Sequence, residues 1–133
     1  MAAQKTRILV IDDDPEIQQL VRILLTRIGA ETIIVDSAAA AAQALREPPL
    51  PDLMVLDLML PEVSGLDFLR QMRGRDHFEQ VPVLVLSALI DSDTIREALD
   101  AGADRYLTKP YIANNLVPIV QDMLKKKRGG NGS

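Results

Sequence analysis

Four aliphatic runs in this chain each end on a polar residue. Asp12, Asp13 and Asp14 follow RILVI, Asp57 stands inside LMVLDLML, Ser87 closes VPVLVLS and Lys109 follows DRYLT. Taken singly, each has a plain structural use. Asp14 caps a helix that Pro15 opens, and Asp12 and Asp13 could belong to the same helix start. Ser87 could cap, and Lys109 with Pro110 could make a turn. Asp57 is harder to place, because a carboxylate among large aliphatics is costly to bury without a cation. The same holds for the Ser87 hydroxyl within VLVLSALI, which left unpaired there costs a few kcal/mol. Taken as a set, these residues can do chemistry. Carboxylates held close repel one another and raise their pKa values unless a cation joins them. Hard oxygen ligands in a chain with no cysteine and one histidine suit Mg2+, or Mn2+, in an octahedral site that retains waters. An ammonium and a hydroxyl opposite offer a phosphoryl group one positive charge and one donor. Such a site transfers phosphoryl groups, with Asp57 placed as nucleophile and Ser87 and Lys109 on the phosphoryl oxygens.

The elements that must position this set follow from the hydrophobic pattern. Strands are expected at 7–11, 31–35, within 53–60, in VPVLVLS and at 104–108, each short and mostly aliphatic. Between them, Ile17, Leu20, Val21, Leu24, Leu25 and Ile28 keep helical spacing up to Gly29. DSAAAAAQALRE over 36–47 has alanine helical propensity with Asp36 or Ser37 as cap, and PPLP breaks it. Residues 64–73 predict a helix with Leu66, Leu69 and Met72 inward, residues 91–102 a short helix ended by Gly102, and Leu116, Ile119, Val120, Met123 and Leu124 the stripe of a last helix. The loop from Gly74 to Gln80 carries His77, a solvated residue with no partner for a metal site. Strands alternating with helices give an α/β fold with a five-stranded parallel sheet covered on both faces. In such a sheet, ligands bind at the carboxyl ends of the strands, where strand order reverses. The order consistent with the polar residues is 2-1-3-4-5, which sets Asp57 beside the acidic triplet.

Composition limits the alternatives. A chain of 133 residues with 47% apolar and 3% aromatic residues suits one domain with an aliphatic core. A net charge of −4 argues against whole-surface attraction to nucleic acid or an anionic membrane. No secretory signal or membrane-length apolar run is present, so a cytoplasmic protein is the default. The expected organisation is one domain over residues 1–128, with GGNGS (129–133) a flexible linker or cloning remnant.

In order and spacing, ILVIDDDP, PDLMVLDLMLPEVSGLDFL, VPVLVLSA and GADRYLTKPY resemble the receiver domain of bacterial two-component response regulators, over roughly residues 6 to 127. The resemblance implies a flavodoxin-like (βα)5 fold in which Asp57 takes phosphate from a phosphohistidine on a sensor histidine kinase or phosphotransfer protein. It implies Mg2+ held by Asp13, Asp57 and the backbone carbonyl of Met59, with Asp12 acting mainly through water, and a cis Lys109–Pro110 bond. It also implies a switch: Ser87 and Lys109 draw toward the phosphoryl group, Tyr106 turns from exposed to buried, and the surface of the fourth helix, fifth strand and fifth helix changes. Tyr106 has a plainer use as a strand aromatic with a half-exposed hydroxyl. Met59 and Leu89, apolar and flanking the site, are expected to keep water from the acyl phosphate.

A receiver is not a conventional enzyme; it catalyses only its own phosphorylation and dephosphorylation. Its partners would be the kinase and a downstream protein or effector domain, with no membrane and no direct nucleic-acid contact, and phosphorylation-dependent homodimerisation stays open. Two other classes compete. A phosphatase of the haloacid dehalogenase type needs an Asp-x-Asp pair, which Asp12 and Asp14 meet in spacing only, and a cap that this length does not provide. A flavodoxin-like cofactor carrier needs a phosphate-cradling loop where DDDPE stands. Pro118 departs from the family pattern, and the expected remedy is a late or bent start to the last helix, with Asn115 as cap and Pro118 in its first turn.

Overall fold

The computed structural model describes residues 5–75 and 78–126; His77 and the expected GGNGS tail lie outside them. Strands β1 (Arg7–Ile11), β2 (Glu31–Val35), β3 (Leu53–Leu56), β4 (Val83–Ser87) and β5 (Arg105–Thr108) alternate with helices α1 (Pro15–Arg27), α2 (Ala38–Leu45), α3 (Gly65–Arg73), α4 (Ser92–Asp100) and α5 (Ile112–Lys125). All pairings are parallel and the order is β2-β1-β3-β4-β5, as the pattern predicts. This is the flavodoxin-like arrangement.

Alternation along the strands divides the core in two. Leu9 and Ile11 of β1, Met54 and Leu56 of β3 and Val83 and Val85 of β4 pack under α2, α3 and α4. Ile8, Val10, Leu53, Val55, Leu84 and Leu86 face the other way, under α1 and α5. The central strands are buried on both faces, which is why they read as unbroken aliphatic runs. The alanines of α2 let it lie close on the sheet, with Ala38 and Ala41 buried. In α3, Leu69 and Met72 are buried as expected and Leu66 packs at the core edge, but Phe68 is buried as well.

The helix starts follow their caps. Asp14 accepts the Glu16 N–H at 2.9 Å with Pro15 at the first helical position, Ser37 rather than Asp36 caps α2, and Ser64 and Asp91 cap α3 and α4. Gly29 and Gly102, at φ of 81° and 119°, carry the left-handed turns that end α1 and α4.

Two expectations are corrected here. The last helix does not start late: it begins at Ile112, behind a 3-10 turn over Lys109–Tyr111, and Pro118 lies inside it. Asn115 is not its cap but donates from Nδ2 to the Tyr111 carbonyl at 3.0 Å. The interior proline is accommodated because Pro118 and Asn114, whose carbonyl loses its helical partner, are both exposed, so water can meet that carbonyl. The Lys109–Pro110 bond is not cis; among the described residues the cis bond is Pro48–Pro49. Pro110 is the second residue of the 3-10 turn after β5, in its first turn, where its fixed φ fits.

Candidate functional site

The site forms where β1 and β3 lie side by side while their connections depart to opposite sides, the switch point of the sheet. Register pairs Ile11 with Leu56, so Asp12 and Asp57 leave the sheet together. Two backbone bonds extend the ladder past the strand ends: Asp57 N–H to the Ile11 carbonyl at 2.9 Å and Asp12 N–H to the Val35 carbonyl at 3.1 Å. Both carboxylates are thereby fixed at 2% exposure. Ser87, at 0% exposure, ends β4 opposite Thr108, and Lys109 follows one residue later. Sheet topology alone brings the four runs of the sequence to one rim.

Lys109 Nζ bridges the acids, 3.1 Å from Asp57 Oδ2 and 3.1 Å from Asp12 Oδ2. The contact with Asp57 is an aligned hydrogen bond. The contact with Asp12 is not, and Asp12 Oδ2 is a buried oxygen with no hydrogen-bond partner. Its other oxygen accepts the Asp14 N–H at 2.9 Å, and Asp57 Oδ1 accepts the Met59 N–H at 3.0 Å. Burial raises the pKa of Asp12 above the ordinary carboxylate range, with the nearby Asp57 charge adding to the rise against the Asp14 N–H and Lys109. Burial alone would lower Lys109, but the Asp12 and Asp57 carboxylates beside it hold it above the usual lysine value.

Asp12, the exposed Asp13 and Asp57 each present a carboxylate oxygen, all within 4.8 Å of one another. With a single ammonium among them, the negative charge is under-compensated and one buried oxygen is unsatisfied. An all-oxygen set of this kind fits a small hard divalent cation.

Ser87 both turns the chain and stays available. Its Oγ accepts the Leu89 N–H at 3.2 Å, which leaves its own hydrogen to donate. Tyr106 is half-buried, and its hydroxyl donates to the Leu89 carbonyl at 2.7 Å. The Leu89 backbone therefore joins Ser87 to Tyr106. Burial raises the tyrosine pKa against the nearby Ser87 hydroxyl, and the charges of Asp91 and Asp57 add to the rise. Met59 is exposed at 58% and Leu89 is half-buried.

Three supports were not singled out from the sequence. Gln18 donates from Nε2 to the Asp12 carbonyl at 2.5 Å; its signal was a polar residue on the same side of α1 as buried Val21 and Leu25. Gly65 opens α3 so close to the site that a Cβ there would stand 2.1 Å from the Asp57 carbonyl oxygen, and its N–H bonds the Leu58 carbonyl at 2.9 Å. Glu62, in the loop between them, has φ of 68°, a left-handed conformation that costs a non-glycine residue roughly 1–2 kcal/mol.

The comparisons with known proteins agree with this geometry. Residues 8–121 match the model of the response regulator receiver domain. The transcriptional regulatory protein KdpE of Mycobacterium tuberculosis is 48% identical over 106 residues, which is 80% of this chain and 45% of that protein. The DNA-binding response regulator MtrA of Mycolicibacterium smegmatis is 36% identical over 126 residues, 95% of this chain and 54% of that protein. The chain thus spans about half the length of the curated relatives it matches. A putative response regulator from Chloroflexus aurantiacus superposes with a TM-score of 0.86 at 28% identity, over 92% of this chain and all of that one. With the acidic rim at the switch point, the bridging lysine and the buried serine all at the ends of the strands that the family model covers, the chain belongs to the response regulator receiver domains of two-component signalling systems.

Proposed function

We propose that Asp57 accepts a phosphoryl group from the phosphohistidine of a sensor histidine kinase or phosphotransfer protein. The observation that carries this reading is Asp57 held at 2% exposure against Lys109 Nζ at 3.1 Å, next to an unsatisfied buried oxygen of Asp12. Asp57 attacks phosphorus as the bond to the donor imidazole breaks, and an aspartyl phosphate results. Lys109 follows the charge from the carboxylate to the phosphoryl oxygens, and Ser87 donates its hydroxyl hydrogen to one of them. Gln18 holds the Asp12 backbone, and Gly65 holds the Leu58 carbonyl while its missing side chain lets α3 close on the Asp57 carbonyl. Met59 and Leu89 flank the phosphoryl group and limit the approach of water.

Asp13, Asp57 and the Met59 carbonyl would hold Mg2+ or Mn2+, with Asp12 acting through a coordinated water. When bound, the ion supplies positive charge against the phosphoryl oxygens and relieves the repulsion among the aspartates. The chain is itself the phosphoryl acceptor, and the phosphodonor is the other reactant.

Output follows from the joint at Leu89. When Ser87 turns to the phosphoryl group it loosens the turn that Tyr106 is tied to, and the balance between two arrangements of α4, β5 and the start of α5 shifts by a few kcal/mol. Ile90 at 71%, Tyr111 at 61% and Leu99 at 43% exposure lie on that side and suit contact with a downstream protein, an effector domain or a second phosphorylated copy. No membrane or nucleic-acid contact is assigned to the domain: none of the described helices is long and apolar enough to cross a membrane, and the net charge is −4. A kinase partner of this kind places it in the cytoplasm, with the receiver occupying residues 1–128 and residues 129–133 a linker or remnant.

Incubation with Mg2+ and acetyl phosphate, followed by intact-mass analysis, tests the reading. One added phosphoryl group on the parent and none on Asp57→Asn is expected. An unmodified parent that binds Mg2+ would make this a receiver that signals by binding alone.

A further inference from the structure

On the face opposite α1 and α5, an open furrow of about 1070 Å3 runs between α2 and α3. It exists because α2 presents alanines there: Ala38, Ala39 and Ala42 leave the space that larger side chains would fill. Leu45, Phe68 and Met72 make the floor. The rim carries exposed Arg46, Arg70 and Arg75, and among the described residues no acidic side chain lines the furrow. Arg70 is already paired with Asp67 and Glu97. Arg46 and Arg75 form no ion pair among the described residues. A chain of net charge −4 has thus set two exposed cations, without an ion-pair partner among the described residues, at the carboxyl ends of the helices that flank an apolar trough.

Their placement is directional. α2 and α3 both connect parallel strands, so their carboxyl ends lie at the same end of the furrow, away from Asp57. Arg46 follows α2 directly and Arg75 lies two residues past α3. At the other end stands Val63, in the loop that follows Asp57. The furrow is therefore cationic at one end, with an apolar floor and with Arg70 and Gln71 of α3 on its edge. Helices of 8 and 9 residues span about 12–14 Å, enough for roughly two and a half turns of a third helix with apolar anchors at i, i+3 or i+4, and i+7.

We propose that this furrow docks an amphipathic helix of a partner protein, its apolar face on Phe68, Met72 and the α2 alanines and its acidic end between Arg46 and Arg75. The site is separate from the phosphorylation rim and from the α4, β5 and α5 face, so a partner can be held there while the switch operates.

Selection from a library of helical peptides of about 15 residues tests this, with binding to the parent measured by fluorescence polarisation. Two variants serve as controls: Ala42→Trp, which fills the furrow, and the surface pair Arg46→Glu with Arg75→Glu, which reverses the rim. Circular dichroism and retained acetyl-phosphate labelling establish that each is folded, and the surface pair carries the test if Ala42→Trp is not. The expected result is enrichment of peptides with apolar residues at helical spacing and Asp or Glu clustered at one end, with binding weakened at least tenfold in each variant. Peptides that bind parent and variants equally, or an enriched set without acidic residues, overturn the proposal. It is equally overturned by self-association that the charge reversal abolishes, which makes the occupant a second copy, or by dodecanoate shifting furrow resonances when no peptide is enriched.

Discussion

Lys109→Met removes the one ammonium between two buried carboxylates and leaves the shape of the site nearly unchanged. Each contact is 3.1 Å long, and at an effective dielectric near 20 each is worth about 5 kcal/mol before desolvation. The full loss is not realised, because one carboxylate can take up a proton. Neutralising a carboxylate of ordinary pKa 3.8 at pH 7 costs about 4 kcal/mol, and that sets the ceiling. Partial exposure of Lys109, 17% of its side chain, lowers it further, so a destabilisation of about 3 kcal/mol is expected, or roughly 2 M in the urea midpoint. Two signs accompany it. The deficit shrinks as pH falls toward 5, where the proton is easier to acquire, and it shrinks when millimolar Mg2+ replaces the ammonium. In a double-mutant cycle, Asp57→Asn removes most of the penalty, because a single carboxylate then remains to be solvated. Urea unfolding followed by circular dichroism at pH 5 and 7, with and without Mg2+, measures all of these. Equal midpoints for parent and variant at pH 7, or a deficit indifferent to both pH and Mg2+, would refute the reasoning.

Gly65→Ala should destabilise the chain by about 1–3 kcal/mol and slow labelling by acetyl phosphate, since the new methyl displaces the Asp57 backbone; thermal unfolding and labelling rate measured together check both. Pro118→Ala restores an N–H to an exposed helix interior and should stabilise it by roughly 1–3 kcal/mol, read as a raised thermal midpoint with labelling unchanged. Tyr106 is held protonated beyond its ordinary 10.0. The folded state thus keeps a proton that the unfolded state has released, so stability falls as pH rises from 10.0 through the raised value. Tyrosinate absorbance should show a late transition that Tyr106→Phe removes.

The parts of the site legible in the sequence were those where a polar residue breaks an aliphatic run. Asp57 and Ser87 stood out because burial there is costly, and sheet order followed from asking which arrangement brings such residues together. Gly65 was less visible: its lack of a side chain matters through a close approach of α3 to the Asp57 carbonyl that spacing does not disclose. Gln18 acts on a backbone atom, and only its place beside Val21 and Leu25 hints at it. Pro118 was misread because the full cost of an interior proline was weighed without the exposure of Asn114 and Pro118, which lets water meet the freed carbonyl. The furrow between α2 and α3 depends on how far apart two helices settle on the sheet, a tertiary distance that alanine content alone does not specify.

The central claim is that the phosphoryl group goes to Asp57 rather than to its acidic neighbours, and the direct measurement is to locate it. Treatment of the acetyl-phosphate-labelled chain with borohydride reduces an aspartyl phosphate to homoserine, and tandem mass spectrometry of the peptides assigns the position. Homoserine in place of Asp57, dependent on Mg2+, is the result this account predicts. Homoserine in place of Asp12 or Asp13, or a phosphoryl group that resists borohydride, would contradict it.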